Sequence, residues 1–237
     1  MRNRVPTTAH RFGIMLRVHR RHQYLRRIFD NFRKLAQGRE VFISIQADRP
    51  TPEVAALLGK LVEKLPASIK VGFMESPFPL LERKERYMEA LQIQYEHLKD
   101  LAGRDLQAAA LWDDDFWLSA KGIRELRGHL DILEADRVEA RSIFLWDTPE
   151  QHNTNFPPHW QALVFRVFPN DNYPLDYTVH CPVRAAVGSC VRLHNPILNA
   201  GYMDEEDRKL TWLAYRRAGK IDAHTIKLTT PPTLEKV

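Results

Sequence analysis

The chain has 237 residues, 44% of them hydrophobic, which is enough for one large domain with its own core. No stretch approaches the roughly 20 apolar residues of a membrane-spanning helix, and residues 1–10 lack the apolar segment of a secretory leader. Two cysteines, Cys181 and Cys190, are too few for a disulfide framework, so a cytoplasmic protein is expected. The formal charge of +5 hides a gradient: Arg17, Arg20, Arg21, Arg26, Arg27, Arg33, Lys34 and Arg39 crowd the start, and acids gather at 113–115 and 204–207. Such a basic face suits a polyphosphate, a nucleic acid or an anionic surface, and equally the solvated side of a helix.

Residues 12–18 read as a first strand and 21–35 as a helix with Tyr24, Leu25, Ile28, Phe29, Phe32 and Leu35 on one stripe. A second apolar strand follows at 41–46. Thr51-Pro52 opens a helix that turns Val54, Leu57, Leu58, Leu61 and Leu65 inward. Residues 69–73 form a short third strand, and after breaks at Pro77 and Pro79 a long helix carries Met88, Leu91, Tyr95 and Leu98 toward a fourth strand at 108–112. The order β-α-β-α-β-α-β predicts a parallel, helix-covered sheet. Ser119 is placed to cap a helix with Ile123, Leu126, Leu130 and Leu133 on one face, and 142–146 and 162–168 read as strands that add antiparallel members. From Pro169 to Met203 the chain is rich in Pro, Asn and His with weak periodicity, as an irregular lid or acceptor segment would be. A last helix runs from Asp204 to Ala218, stopped by Gly219, and the tail beyond Thr229 is expected to fray.

The run Ala108-Ala109-Ala110-Leu111-Trp112-Asp113-Asp114-Asp115-Phe116 is chemically the sharpest stretch. It sets three carboxylates at the end of a buried strand, where open α/β sheets place ligands. Adjacent anions repel, and a hard cation such as Mg²⁺ or Mn²⁺ offsets that repulsion while favouring carboxylate and phosphate oxygens. Strand alternation turns Asp113 and Asp115 to one side and Asp114 to the other. A solvated acidic turn is the plain alternative, though such turns seldom sit between an apolar run and an aromatic pair like Phe116-Trp117.

Several segments in order resemble a known family. They are Ile14-Met15-Leu16-Arg17-Val18-His19-Arg20-Arg21, Phe42-Ile43-Ser44-Ile45-Gln46-Ala47-Asp48, Leu111 to Phe116, and Leu193-His194-Asn195-Pro196-Ile197-Leu198-Asn199-Ala200-Gly201-Tyr202 with the charged helix through Arg208 and Tyr215. Together, over about residues 11–220, they are similar to small family 2 glycosyltransferases with the GT-A fold. The resemblance implies a single α/β, Rossmann-like domain over 1–237 with a mixed, mainly parallel sheet flanked by helices. It divides the chain into a nucleotide-sugar half at about 11–118 and an acceptor half at about 119–228. It implies metal-dependent transfer from a nucleotide-sugar, of the UDP type, to a hydroxyl, with Mn²⁺ or Mg²⁺ as cofactor.

On that resemblance Arg17, His19, Asp48, Arg83, Arg86, Asp113 and Asp114 contact the donor, and Asp113, Asp115 and His194 hold the ion. The base comes from Asp176, His180 or Asp204, with Asp171 in the same segment. Two departures stand out. Where many relatives have a metal-binding His before Gly-Tyr, this chain has Asn199-Ala200, so the remaining ligand is Asn199, His194 or the diphosphate itself. Where some relatives have His-Glu, this chain has His180-Cys181, and a neutral thiol is a poor base.

Small viral enzymes that glycosylate hydroxymethylated bases share this compact basic profile. The favoured acceptor is therefore hydroxymethylcytosine or a similar base in double-stranded DNA, in a host cytoplasm, with glycan, lipopolysaccharide or protein acceptors as alternatives. A nucleotidyltransferase would need a glycine-rich first loop, and the residues after Gly13 supply none until Gly38. A non-catalytic nucleic-acid-binding protein has no use for the acidic cluster. Zinc at His180, Cys181, Cys190 and His194 is disfavoured because adjacent His-Cys pairs rarely ligate together.

Overall fold

The computed structural model describes residues 11–19, 22–76, 84–103, 105–167, 188–217, 227–228 and 231–237. Its first half is β1 (Arg11–Val18), a 3-10 turn (His22–Tyr24), α1 (Leu25–Leu35), β2 (Val41–Ala47), α2 (Pro52–Val62), β3 (Ile69–Glu75), α3 (Lys84–Ala102), β4 (Leu106–Asp113) and β5 (Phe116–Leu118). The second half is α4 (Ala120–Ile132), β6 (Arg137–Trp146), β7 (Thr148–Asn153), β8 (His159–Arg166), β9 (Cys190–Arg192), β10 (Ile197–Asn199), α5 (Glu205–Arg217) and β11 (Leu234–Lys236).

The strands form one mixed sheet in the order β11-β7-β6-β8-β4-β1-β2-β3, with β9 and β10 on β6 and β10 also on β5. The half crossed by helices, β3-β2-β1-β4, is parallel, and β8 is antiparallel to both β4 and β6. This is the helix-flanked α/β architecture expected from the alternating elements.

Side-chain alternation explains why helices cover both faces. Phe12, Ile14, Leu16 and Val18 of β1 join the core shared with α1, α2 and α4, whereas Met15 joins Leu91, Tyr95 and Leu98 of α3. Gly13 keeps the α3 face close: a Cβ there would stand 2.7 Å from Leu98 Cδ2. Trp112 is fully buried, edge-on to Phe32 at 5.4 Å and stacked on Phe116 at 5.1 Å. Its indole N–H donates to the Phe116 carbonyl at 2.9 Å, which folds the chain back just after β4.

Thr51 caps α2 by accepting from Val54 N–H at 3.4 Å with Pro52 opening the helix, and Ser119 caps α4 by accepting from Gly122 N–H at 3.1 Å. Asn31 lies on the buried stripe of α1 and clasps Leu118: its Nδ2 donates to the Leu118 carbonyl at 3.1 Å and its Oδ1 accepts the Leu118 N–H at 2.7 Å.

Several expectations need correction. The first helix begins at Leu25, because His22–Tyr24 is a 3-10 turn, and α2 ends at Val62, leaving Leu65 outside it. Leu133 caps the end of α4 in the left-handed region at φ 48° and still packs against the core that holds Ile123, Leu126 and Leu130. The last helix begins at Glu205 because Asp204 Oδ1 accepts the N–H groups of Glu206 and Asp207 at 2.8 and 3.1 Å, making Asp204 the cap. The tail does not fray: Leu234–Lys236 pairs antiparallel with β7, and buried Asn153 accepts from Thr233 N–H at 3.2 Å. An exposed β7 edge offers unpaired backbone groups that such a segment satisfies. Within the expected irregular segment the described part holds β9 and β10, while Pro77, Pro79, 168–187, Ala218 and Gly219 lie outside the described residues.

Asn31→Leu leaves a buried N–H and carbonyl of Leu118 unpaired, so it destabilises the chain by about 2–4 kcal/mol. Urea denaturation of the two proteins measures it, and a loss under about 0.5 kcal/mol contradicts the clasp.

Candidate functional site

β1 has β2 on one side and β4 on the other, so the chain reverses direction across the sheet at β1. In open α/β sheets this reversal opens a crevice beyond the carboxyl ends of the strands, because the helices that follow neighbouring strands leave to opposite faces. Here the crevice is walled by charge. Arg17 of β1 sits in register with Gln46 of β2 and Asp113 of β4. Alternation turns Arg17 and Asp113 to the α3 face, and the guanidinium Nη2 donates to Asp113 Oδ1. The Arg17 side chain is 9% exposed and that of Asp113 32%.

One step beyond the strand, the backbone N–H of His19 donates to Asp114 Oδ2 at 2.7 Å, and His19 Nδ1 lies 2.9 Å from Asp48 Oδ2. Asp48 also accepts from Arg49 Nε at 3.2 Å, and its own N–H extends the ladder to the Val18 carbonyl at 2.9 Å. Asp48 and Asp114 are 5% and 4% exposed. Arg49 leaves the strand end at φ 48°, a left-handed conformation that costs a non-glycine residue energy and tends to mark functional turns.

The structure thus brings together Arg17, His19, Asp48, Asp113 and Asp114. β4 ends at Asp113, and Asp114 and Asp115 form the turn into β5, so strand alternation stops at Asp113 and Asp114 reaches back to β1. Asp115 offers its carbonyl to Ala200 N–H at 2.6 Å, tying the acidic turn to the segment after β10.

His194 goes elsewhere. β10 pairs antiparallel with β5, Asn199 beside Phe116 and Ile197 beside Leu118, so His194 lies beyond the end of β10 remote from Asp115. Its N–H and Nδ1 are bonded to Glu125 Oε1 at 2.7 and 2.8 Å, while Asn195 N–H and Nδ2 meet Glu125 Oε2 at 3.1 and 2.8 Å. Burial opposes ionisation of Glu125, but these four hydrogen bonds outweigh it and bring the carboxyl from 4.5 down to about 2. Asn199 uses its side-chain oxygen on Gly201 N–H at 2.8 Å.

Among the described residues no three His, Cys, Asp or Glu side chains converge to hold an ion. Asp113 is engaged by Arg17, and Asp115 stands in the turn two residues on. Of the residues weighed for zinc, Cys190 is exposed at β9 and His194 is bonded to Glu125. Arg83, Asp171, Asp176, His180 and Cys181 lie outside the described residues, and Arg86 falls within α3.

The basic cluster is divided. Arg17 and Arg39 are buried on Asp113 and Asp131, Arg33 pairs with Asp30, and Arg27 lies over Trp117 at 5.1 Å. Arg26 and Lys34 are exposed.

Sequence reasoning missed four polar anchors. Gln94 of α3, fully buried, donates to the carbonyls of Leu16 and Ser44 at 3.0 and 2.9 Å and so binds α3 to both strands of the crevice. Its signal was a Gln on the Leu91-Tyr95-Leu98 stripe. Glu125 is the second anchor and Asp207, 9% exposed in the first turn of α5, the third. The fourth is Arg208, which donates to the carbonyls of Tyr202 and Met203 at 2.7 and 3.1 Å and to Asp147 at 2.9 Å, fixing the turn that hangs from Asp115.

No family model and no curated protein sequence matches the chain. Among solved structures its fold is similar to a crystal structure of S. aureus TarS 1–349, with a TM-score of 0.46 and 11% identity over 92% of this chain and 69% of that one. A second TarS crystal structure gives 0.46 and 12% over 92% and 42%, and TarS 1–349 in complex with UDP gives 0.41 and 12% over 92% and 69%. Overlap this loose assigns no activity.

Because the Glu125 pKa is depressed, its contribution to stability is complete above about pH 4.5 and is lost as the pH falls toward 2. Glu125→Gln should therefore lower Tm by roughly 3–6 °C at pH 7 and by much less at pH 3. Equal losses at both pH values would show that the carboxylate charge is not what holds the 193–196 segment.

Proposed function

We propose that the chain transfers a sugar from a nucleoside-diphosphate sugar to a hydroxyl acceptor. The observation that carries this reading is the meeting of Arg17, His19, Asp48, Asp113 and Asp114 at the carboxyl ends of three adjacent parallel strands, with the acidic turn beside them. Asp48 is the acceptor group for a ribose or base N–H or O–H, its orientation fixed by His19 and Arg49. Arg17, buried at the strand end, carries a guanidinium fork that suits bidentate pairing with phosphate oxygens. Asp113 and Asp115 would hold Mn²⁺ or Mg²⁺, and when bound the ion neutralises charge developing on the diphosphate leaving group.

An inverting transfer needs a base on the acceptor hydroxyl. Asp204 spends its carboxylate on capping α5, and Asp207, buried one turn away, is the stronger choice. Asp176 and His180 keep the base role only as expectations from sequence. The nucleotidyltransferase alternative lacks support, since no glycine stands between Gly13 and Gly38 to wrap a triphosphate.

The finer acceptor reading, a hydroxymethylated base in double-stranded DNA, rests on the exposed Arg26 and Lys34 and on the Arg27–Trp117 stack of α1. If it holds, DNA binding falls steeply with salt while UDP binding changes little. Donor hydrolysis without DNA binding at low salt turns the acceptor to a glycan, lipopolysaccharide or protein.

The decisive experiment screens nucleotide-sugars for hydrolysis with Mn²⁺ or Mg²⁺, with and without hydroxymethylated DNA. Asp115→Ala should reduce kcat/KM by about 100-fold or more, Asp113→Ala by less. Asp48→Ala should raise donor KM by about tenfold with kcat little changed. Full turnover by Asp115→Ala removes the proposal.

A further inference from the structure

We infer that Arg141 and Arg192, set beside Trp160, form an anion subsite for the acceptor: they hold a carboxylate or phosphate of a saccharide whose hydroxyl takes the transferred sugar. The inference rests on the donor site proposed above and names the acceptor class for it. Register places the subsite next to the donor crevice. Val164 of β8 pairs with Ala110 of β4 and with Val138 of β6, and three residues on from these stand Asp113 and Arg141. The two are therefore level with each other, two strand spacings or about 10 Å apart. They also share a face. Ala162 and Phe165 of β8 join Met15 and Leu111 in the core beneath α3, and alternation puts Trp160 on that side with Arg17 and Asp113. Arg141 faces Trp160 across the β6–β8 ladder, so it joins them.

Arg192 of β9 pairs with Glu139 and reaches back over β6. Its Nε donates to Glu139 Oε2 at 3.2 Å, and its guanidinium carbon lies 4.6 Å from the centre of the Trp160 ring. One carboxylate and one indole thus hold the group by an edge and a face. Its two Nη groups, on a side chain that is 60% exposed, make no hydrogen bond among the described residues. Arg141 is exposed and has no polar partner among them. Glu139 cannot neutralise both, since it also accepts from Arg137 Nε at 2.8 Å. The cluster keeps a positive charge and presents planar donor forks, the arrangement that pairs with a carboxylate or a phosphate.

Position favours a saccharide over a nucleic acid. α1, which carries the exposed Arg26 and Lys34, packs on the face of the sheet opposite α3, so a duplex held by α1 lies away from Arg141 and Arg192. One face of the Trp160 indole is taken by Arg192, so charge rather than base stacking makes the contact. A saccharide with its own oxyanion spans the gap. The anion rests on the two arginines, and a hydroxyl of the same or the next ring reaches the donor beside Arg17 and Asp113.

The probes are glucose 6-phosphate, glucuronic acid and glucose, with affinities for the full chain read by NMR titration and UDP binding by calorimetry. The two charged sugars should bind at least about tenfold more tightly than glucose, and the tighter of them identifies the anion. Arg141→Gln and Arg192→Gln should each weaken the charged sugars by about tenfold, and Trp160→Leu by about threefold through loss of the ring under Arg192. Arg124→Gln, at an exposed position of α4 on the opposite face, should change them by less than about twofold. Charged sugars that bind no more tightly than glucose, or losses at Arg141 and Arg192 no larger than at Arg124, overturn the inference. Transfer to hydroxymethylated DNA that Arg141→Gln leaves undiminished overturns it too, and turns the acceptor to the duplex. A chain that binds UDP but neither charged sugar loses this subsite alone, whereas one that binds the charged sugars through Arg141 but not UDP loses the donor site on which the acceptor role rests.

Discussion

Everything on the functional edge depends on β1 being hydrogen-bonded in parallel on both sides and covered on both faces. A strand so enclosed has no solvent-facing row of side chains, and its interior reads as the continuous apolar run Phe12 to Leu16. Polarity is then confined to the place where the ladder stops. Arg17 and His19 occupy that place, and the neighbouring strands end there too, each with its own acid. In the crevice buried charge is set against other charge, Arg17 on Asp113 and His19 on Asp48.

Around the crevice the supports are polar clasps to backbone rather than more apolar packing. Gln94 binds α3 to β1 and β2, Asn31 binds α1 to β5, Trp112 binds the end of β4 to the start of β5, and Arg208 binds α5 to the turn after β10. Short strands such as β5 and β10 cannot hold a position by ladder bonds alone. Each clasp is a hydrogen bond to backbone, which gives it directional strength that packing lacks.

The parallel half of the fold was legible because its signals are local. Apolar runs at 12–18, 41–46 and 108–112 and the stripes of the intervening helices needed no partner to be recognised. The acids at 113–115 were legible as a strand end. The rest was not, because its structure is set by what lies beside it. β7 reads Thr-Pro-Glu-Gln-His-Asn and β11 Leu-Glu-Lys, and neither alternates strongly; β7 is a strand because β6 and β11 flank it, and β11 because β7 does. His194 looked like a ligand by its place before Asn199, yet antiparallel pairing of β10 with β5 carries it away from the acids to Glu125. Asp207 is buried only once α5 has docked.

The Asn31 amide has a mechanical meaning beyond the bonds it makes. It stands on the helix that follows the Arg17–His19 strand end, and it grips the strand that follows the acidic turn. These two segments are 87 residues apart in the chain, yet one side chain fastens them at both a donor and an acceptor. Two bonds from a single planar group resist twisting as well as separation. The two walls of the crevice are therefore fastened to each other, and the turn after β10 is joined to one of them through Asp115.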